Sequence, residues 1–222
     1  TQLGLSLDPE EAYQNLLRIL SRARERQNFV RVDMEDSSLT QVTLRLVQGA
    51  WDAGFSNTGV VIQSCLYRSQ EDARHLAQRG IPVRLVKGAY KEPANLAYPR
   101  KRDVDASFDR ISDILIAGAK AKGSPLLSGD GRFPPLAAIA SHDEARIRYA
   151  AAAAEKAGLP RAALEFQMLY GIRRDLQQNL TAQGYPVRVY IPFGTHWYPY
   201  FMRRLAERPA NVWFMLSNLI KK

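Results

Sequence analysis

Six short apolar or β-branched runs alternate with amphipathic helical stretches along the 222 residues of the chain. The predicted strands cover residues 29–33, 59–64, 83–87, 136–141, 163–167 and 187–191. A predicted helix follows each strand, at residues 39–53, 69–79, 104–122, 143–157, 173–183 and 197–207. Strands that alternate regularly with helices predict an α/β fold built on a parallel sheet.

Another helix, predicted at residues 9–26, precedes the first strand, with Asp8 as its N-cap and Pro9 at its first position. In an alternating fold this helix implies an earlier strand, of which residues 1–4 could be the tail. We therefore expect a (βα)8 barrel of the TIM type that forms one domain over residues 1–222. Its first one or two strands would lie ahead of the chain's first residue.

The alternative arrangement is an open, doubly wound sheet, which commonly carries a G-x-G-x-x-G phosphate turn after its first strand. Gly129, Gly131 and Pro134 do not fit this pattern and do not follow a predicted strand. They belong to residues 123–135, whose glycine, proline and serine content predicts a surface loop. The barrel is therefore the favoured arrangement.

Composition excludes several classes of protein. With 46% hydrophobic residues the chain can bury a core, so it is not a disordered segment. Its single cysteine, Cys65, excludes an internal disulfide, and no apolar run approaches the roughly 20 residues that cross a bilayer. The net charge of +9 is dispersed and comes with no nucleic-acid-binding motif, so we expect no nucleic-acid partner.

Two charged residues interrupt the third predicted strand, in the sequence PVRLVKGAY. Burial of Arg84 or Lys87 is costly unless each side chain meets a partner. One interpretation is an ion pair with Asp33 or Glu35 at the end of the first strand. The other is an anion site, where Gly88 lets the backbone approach a ligand closely. The sequence leaves both interpretations open.

A pair of arginines, Arg203 and Arg204, lies in the last predicted helix, within YPYFMRRLAER. Two guanidinium groups can hold the carboxylate of a small acid, and Tyr190 and Tyr200 could form an apolar wall beside it. The alternative is a solvated helix face on which Glu207 pairs with one of the arginines.

The three histidines predict neither a metal site nor a hydrolase. His142 follows the fourth strand, where it could donate to a cofactor or cap a helix. His75 and His196 do not lie at ligand spacing from it. No G-x-S-x-G turn that would expose a nucleophilic serine is present.

Five motifs fall in order at successive strand ends: FVRVDMED, VVIQSCLYRSQED, VRLVKGAYKEP, EFQMLYGIR and YIPFGTHWYPYFMRRLAERP. They resemble the proline dehydrogenase family, in particular its short monofunctional bacterial members, and the match spans nearly the whole chain. The resemblance implies a distorted (βα)8 barrel that binds FAD. It also implies oxidation of L-proline to Δ1-pyrroline-5-carboxylate by hydride transfer from C5 to flavin N5, with the electrons passed to a membrane quinone.

The resemblance assigns roles to individual residues. The catalytic residues would be Arg84, beside flavin N5, and Asp33, an acid that supports the basic cluster. The implied cofactor-binding residues are Met34, Ile62, Gln63, Arg84, Lys87, Gly88, Ala89, Ser141, His142 and Gln167. The implied substrate-binding residues are Leu169, Tyr190, Tyr200, Arg203 and Arg204, of which the two arginines would bind the proline carboxylate. Ser141 stands where the family has threonine, and a family lysine that contacts this carboxylate would fall before Thr1.

The implied partners are L-proline, a membrane quinone and, for the product, a pyrroline-5-carboxylate dehydrogenase. We expect a cytoplasmic protein, whose basic C-terminus is compatible with a peripheral position on the inner face of the bacterial membrane. Two other functions stay open. One is another FAD barrel, such as a methylenetetrahydrofolate reductase, which would not need Arg203 and Arg204. The other is a non-catalytic basic protein that docks on nucleic acid or an acidic membrane.

Overall fold

Helices and strands alternate through residues 2–195, which are the residues that the structure, a computed structural model, describes. The α-helices are α1 (Pro9–Glu25), α2 (Ser37–Asp52), α3 (Ser69–Arg79), α4 (Lys101–Ala121), α5 (Glu144–Ala157) and α6 (Arg174–Ala182). The strands are β1 (Val30–Val32), β2 (Thr58–Gln63), β3 (Val83–Val86), β4 (Ala137–Ala140), β5 (Leu164–Leu169) and β6 (Val187–Tyr190). The predicted α/β class is confirmed.

The strands pair in sequence order from β1 to β6 in one parallel sheet, which curls into part of a TIM-type barrel with helices around it. One row of paired residues runs across four strands: Val61 lies opposite Arg84, Arg84 opposite Ala138, and Ala138 opposite Glu165. Residues in one row share a face of the sheet. Arg84 and Glu165 therefore lie on the same face.

The hydrophobic core lies between the other face of this sheet and the helices. Nearly fully buried side chains from both layers form it, namely Val60, Ile62, Leu85, Ile139 and Phe166 from the strands and Leu76, Phe108, Ile111 and Leu115 from the helices. Because side chains alternate along a strand, the neighbours of these strand residues face the inside of the curl. The charged row described above is thus directed inward.

Helix ends follow local sequence signals. The side chains of Asp8, Asp36 and Asp143 accept hydrogen bonds from backbone N–H groups of the first turns of α1, α2 and α5. Helices α3 and α5 end at Gly80 and Gly158, whose φ angles of +75° and +65° favour glycine. The predicted start of the first helix is confirmed.

The predicted boundaries differ from the observed ones by a few residues. Strand β1 is shorter than predicted, and α4 begins at Lys101, three residues earlier than predicted, because Pro99 precedes the helix and does not interrupt it. Residues 123–135 contain no helix or strand, as predicted. No helix within residues 2–195 combines the length and apolar character needed to cross a membrane.

The chain divides into two compact units, Thr1–Val189 and Tyr190–Lys222. The barrel strands and helices described here belong to the first unit, apart from Tyr190 at the end of β6. The predicted helix at 197–207 lies outside the described residues. A single domain over residues 1–222 stays a prediction.

A pH-dependent contribution to stability arises between α4 and α5. Asp109 accepts a hydrogen bond from Arg146 (2.6 Å), while no donor among the described residues reaches its buried Oδ1 atom. Burial raises the pKa of Asp109 to about 6, against the opposing charge of Arg146. The folded state therefore holds this proton more tightly than the unfolded state, whose carboxyl titrates near 3.8.

Stability from this proton is present below pH 4 and is lost as the pH rises through 6. The Asp109→Asn variant imitates the protonated acid at every pH. We expect its free energy of unfolding, relative to wild type, to rise between pH 4 and pH 7, measured by urea unfolding at several pH values. A difference that is constant over this range would contradict the shifted pKa.

Candidate active site

Arg84 holds together two other residues of the predicted site. Its Nη1 atom donates to Asp33 Oδ1 (2.6 Å), and its Nε atom donates to Gln167 Oε1 (2.6 Å). Asp33 directly follows β1, and Gln167 lies in β5, so the contacts bridge three strands across the inside of the curl. The structure thus confirms the ion pair between Arg84 and Asp33 that the sequence left as one of two interpretations.

A second arginine completes this arrangement from β6. Arg188 donates to both carboxylate oxygens of Glu165 at distances of 2.8–3.1 Å, and Gln167 Nε2 donates to the same carboxylate. Glu165 is 1% exposed. An unbroken hydrogen-bonded chain therefore runs from Arg188 through Glu165 and Gln167 to Arg84 and Asp33.

Arg31 of β1 adds a third inward cation. Its Nη1 atom donates to the carbonyl oxygen of Pro82 (2.6 Å), and its guanidinium lies 5.0 Å from the ring centre of Phe29. Burial, and then the charge of Arg84, lower the pKa of Arg31 to about 9. Arg31, Arg84 and Arg188 share the lining of a cavity of about 380 Å³ with residues of the 123–135 loop.

Sequence analysis missed Arg31, Glu165 and Arg188. Each lies at the second position of its strand, between apolar neighbours, in VRV, LEF and VRV. This alternation is also typical of a strand with one solvated face. In a barrel, however, the alternating polar residues face the interior, so the predicted fold was itself the signal that could have identified them.

Lys87 lies on the opposite side of the sheet from Arg84. It follows β3 directly, and its Nζ atom contacts Asp105 of α4 and Asp143 (2.6 Å), the N-cap of α5. Partial burial would raise the pKa of the Asp143 carboxyl, but the hydrogen bond and charge from Lys87 lower it to about 2. The ammonium group therefore pairs with the helical layer, and the predicted partners Asp33 and Glu35 were wrong for Lys87.

Backbone and amide groups are presented at the carboxyl ends of β2 and β3. Gln63 Nε2 donates to the carbonyl oxygen of Glu35 (2.8 Å), which fixes the side-chain amide. Beyond β3, Gly88 and Ala89 are exposed, and Gly88 has a φ of +108°. A bend with accessible backbone thus lies next to an oriented amide.

The remaining predicted residues occupy several environments. His142 Nε2 accepts from the backbone N–H of Leu169 (3.0 Å), and Ser141 Oγ accepts from the backbone N–H of Asp143 (3.0 Å). These contacts place Ser141, His142 and Leu169 at the carboxyl ends of β4 and β5. Two apolar candidates, Met34 and Ile62, are 9% and 1% exposed and belong to the hydrophobic core.

The substrate-binding prediction is only partly covered by the structure. Tyr190 ends β6 and begins the second compact unit. Tyr200, Arg203 and Arg204 lie outside the described residues. Within residues 2–195, no group of three or more histidine, cysteine, aspartate or glutamate side chains is placed to hold a metal ion.

Replacement of Gly88 by alanine tests the backbone bend beside the site. A Cβ atom there would overlap Cys65 Sγ, and the positive φ is unfavourable for any side chain. We expect Gly88→Ala to lower the free energy of unfolding by about 1–3 kcal/mol, measured by urea unfolding. Gly54→Ala is the matched control, since Gly54 has a φ of +84° but open space at its Cβ position. Equal losses in both variants would rule out a contribution from the overlap.

The chain is similar in sequence to proteins of one family. A family model described as proline dehydrogenase matches residues 1–217. Proline dehydrogenase 1 of Bacillus subtilis (strain 168) is 41% identical over 222 residues, which are 100% of this chain and 68% of that protein. The proline dehydrogenase of Deinococcus radiodurans is 42% identical over 210 residues, covering 93% of this chain and 62% of that protein.

Solved structures share the fold. A crystal structure of proline utilization A (PutA) from Bdellovibrio bacteriovorus, inactivated by N-propargylglycine, is 30% identical with a TM-score of 0.77 over 91% of this chain. PutA of Bradyrhizobium japonicum, at 22% identity and a TM-score of 0.72, shows likeness of fold alone. The chain spans 22% of each of these longer proteins. From the family match and the full-chain relatives together, the chain belongs to the proline dehydrogenase family.

Proposed function

We propose that this protein is an FAD-dependent dehydrogenase that oxidises L-proline to Δ1-pyrroline-5-carboxylate and passes the electrons to a quinone. The observation that carries the proposal is the hydrogen-bonded group of Asp33, Arg84 and Gln167 on the inside of the part-barrel. These are residues to which the family resemblance assigns catalytic and cofactor roles, and the full-chain relatives are named proline dehydrogenases.

The residues present fit a flavin. Exposure rises toward the carboxyl ends of the strands, from 1% at Glu165 to 7% at Gln167 and 64% for the Asp33 side chain, so a ligand can approach from that end. Arg84 supplies positive charge there, and the Gln63 amide and the exposed backbone bend at Gly88 lie at the carboxyl ends of β2 and β3. Positive charge and hydrogen-bond donors are what a flavin ring requires as it gains electron density.

When bound, FAD would supply the redox chemistry by accepting the C5 hydride of proline at N5. Arg84, Gln63, Gln167, Ser141, His142 and the 87–89 backbone would hold the cofactor. Met34 and Ile62, which the resemblance also assigns to the cofactor, belong to the hydrophobic core. Asp33 keeps the Arg84 guanidinium in place. By the family resemblance, Arg203 and Arg204 would bind the substrate carboxylate, and Leu169, Tyr190 and Tyr200 would contact the ring. Orientation of this kind contributes several kcal/mol to lowering the barrier.

Partners and location follow from the same proposal. A quinone acceptor requires access to a membrane, and we propose a cytoplasmic protein that reaches the inner face of the bacterial membrane. The Escherichia coli relative, 28% identical over 235 residues, is named bifunctional protein PutA. We propose that the product passes to a pyrroline-5-carboxylate dehydrogenase.

The visible absorption spectrum of the full-length protein tests the proposal directly. We expect flavin bands that bleach when L-proline is added without oxygen. Flavin bands that persist would overturn proline as the substrate, and would favour another FAD barrel such as a methylenetetrahydrofolate reductase. A colourless protein that FAD does not reconstitute would overturn the enzyme and favour a basic docking protein.

Replacement of Arg203 distinguishes the two flavin enzymes. If this residue binds the proline carboxylate, Arg203→Met should raise KM for proline about tenfold to a hundredfold, because it removes a charge-assisted hydrogen bond. Arg18→Met, which removes an exposed arginine of α1, is the control and should leave KM unchanged. Steady-state kinetics with an artificial acceptor measure both variants. An unaltered KM in Arg203→Met would favour the solvated helix face with Glu207.

A further inference from the structure

Glu165 is the least exposed charged residue among residues 2–195, at 1% exposure. It belongs neither to the predicted site nor to the residues assigned by family resemblance. Burial of a carboxylate is unfavourable unless every lone pair has a partner, so the contacts of Glu165 indicate what it does.

Its partners come from two directions. Arg188 donates through Nε and Nη2 at 2.8–3.1 Å, and Gln167 donates through Nε2 to the Oε1 atom. An ionised carboxylate only accepts hydrogen bonds. The NH2 group of Gln167 must therefore face Glu165, and the amide oxygen must face the other way.

This orientation of the Gln167 amide determines which of its atoms contacts Arg84. The Oε1 atom of Gln167 accepts from Arg84 Nε (2.6 Å), and the guanidinium is thereby aimed so that Nη1 reaches Asp33 (2.6 Å). If the amide were turned over, its NH2 group would confront the Nε–H of Arg84, and two donors repel. The charge of Glu165 thus acts on Arg84 through the amide of Gln167.

We propose that Glu165 is a positioning residue, which holds the Arg84 guanidinium in its catalytic orientation through Gln167. The role in catalysis rests on the proposed function, whereas the orientation of Arg84 does not. The role differs from simple charge balance, in which Glu165 would only offset the neighbouring arginines.

Glu165→Gln tests this with almost no change in volume. An amide at position 165 that accepts from Gln167 must turn its own NH2 toward Arg188, which is also a donor. The opposite orientation turns Gln167 over and removes the acceptor of Arg84. We expect the second orientation, because Arg188 donates three hydrogen bonds to residue 165 whereas Gln167 donates one.

The two roles predict opposite changes in the flavin midpoint potential of the full-length holoenzyme. Removal of a negative charge alone raises the potential, because reduced flavin is stabilised by positive surroundings. Misplacement of Arg84 lowers it. We expect Glu165→Gln to lower the potential and to reduce kcat about tenfold to a hundredfold, with KM for proline within about threefold of wild type. A raised potential with unchanged kcat would overturn the proposal.

Two further variants keep the test decisive if Glu165→Gln folds poorly. Glu165→Asp retains the carboxylate and should recover part of kcat. The double variant Glu165→Asp/Gln167→Leu should have the same kcat as Gln167→Leu alone, if Glu165 acts only through Gln167. A double variant whose kcat falls below that of Gln167→Leu by the whole factor that Glu165→Asp costs on its own would overturn the proposal. Asp109→Asn is the control for loss of a half-buried ion pair in the helical layer, and should leave the potential unchanged.

Crystal structures of wild type and Glu165→Gln distinguish this proposal from the proposed function. We expect the contact between Arg84 Nε and Gln167 Oε1 to be lost in the variant. A retained contact overturns the positioning role whatever the enzyme catalyses. If proline does not reduce the flavin of the wild-type protein, the proposed function is overturned. The contact between Arg84 and Gln167 then still tests the positioning role.

Discussion

Arg84→Met should lower kcat/KM for proline about a thousandfold, the largest loss of activity expected from any single described residue. The guanidinium provides the cation at the open end of the inner face, and loss of one such stabilising group typically costs a hundredfold to a thousandfold in rate. The flavin midpoint potential should fall as well. Stopped-flow reduction of the holoenzyme by proline measures the rate without the later transfer to the acceptor.

The fold should survive this substitution. Asp33 is 64% exposed, so water can replace its partner, and Glu165 keeps its contacts with Arg188 and Gln167. Arg84→Lys is the matched variant, because it retains the charge but a single ammonium cannot span both Gln167 and Asp33. It should recover only part of the rate. If Arg84→Met kept more than about a tenth of wild-type activity, the pair with Asp33 would be structural only.

The fold was predictable because parallel α/β proteins carry their periodicity in the sequence. Strand β2, TGVVIQ, is buried along its whole length, and helices with aspartate caps flank the strands. Arg84 was predictable for a different reason, since a charge within an apolar strand demands a partner. Its partner Asp33 was one of two predicted partners, with Glu35, because both acids follow the first strand at the edge where parallel strands end.

Other contacts depend on register, which the sequence does not contain. Arg84 and Lys87 are three residues apart, so they face opposite sides of the sheet. The two-residue alternation of a strand could have predicted this difference. The partners of Lys87, Asp105 and Asp143, come from the α4 and α5 helices. Their approach follows from helix packing, and no motif within the strand predicts it.

The contacts among the inward-facing charged residues could be predicted only with knowledge of which face of the sheet is enclosed. Arg31, Glu165 and Arg188 each alternate with apolar neighbours, and such a strand is equally compatible with a solvated face. Once the sheet curls, these residues meet one another, and three arginines surround one buried carboxylate. The contacts of Glu165 with Arg188 and Gln167 therefore become evident only once the enclosed face is known.

Arg188→Met should lower the free energy of unfolding by about 3 kcal/mol, because it leaves the buried carboxylate of Glu165 without its two-pronged partner. The value lies at the lower end of the range for a broken buried pair, since Arg31 and Arg84 remain nearby. Arg188 Nη2 also donates to the carbonyl oxygen of Gly131 (2.8 Å), so the loop at 123–135 loses a contact with β6. Urea unfolding of the protein measures the loss.

The double variant Glu165→Leu/Arg188→Met separates stability from catalysis. Removal of both charges leaves no uncompensated carboxylate, so most of the lost free energy of unfolding should return. The amide of Gln167 then has no acceptor to orient it, and the slow turnover expected for Glu165→Gln should persist. A double variant as unstable as the sum of its single variants would show that Glu165 and Arg188 stabilise the barrel independently. A stable and fast double variant would mean that Arg84 is held by Asp33 alone.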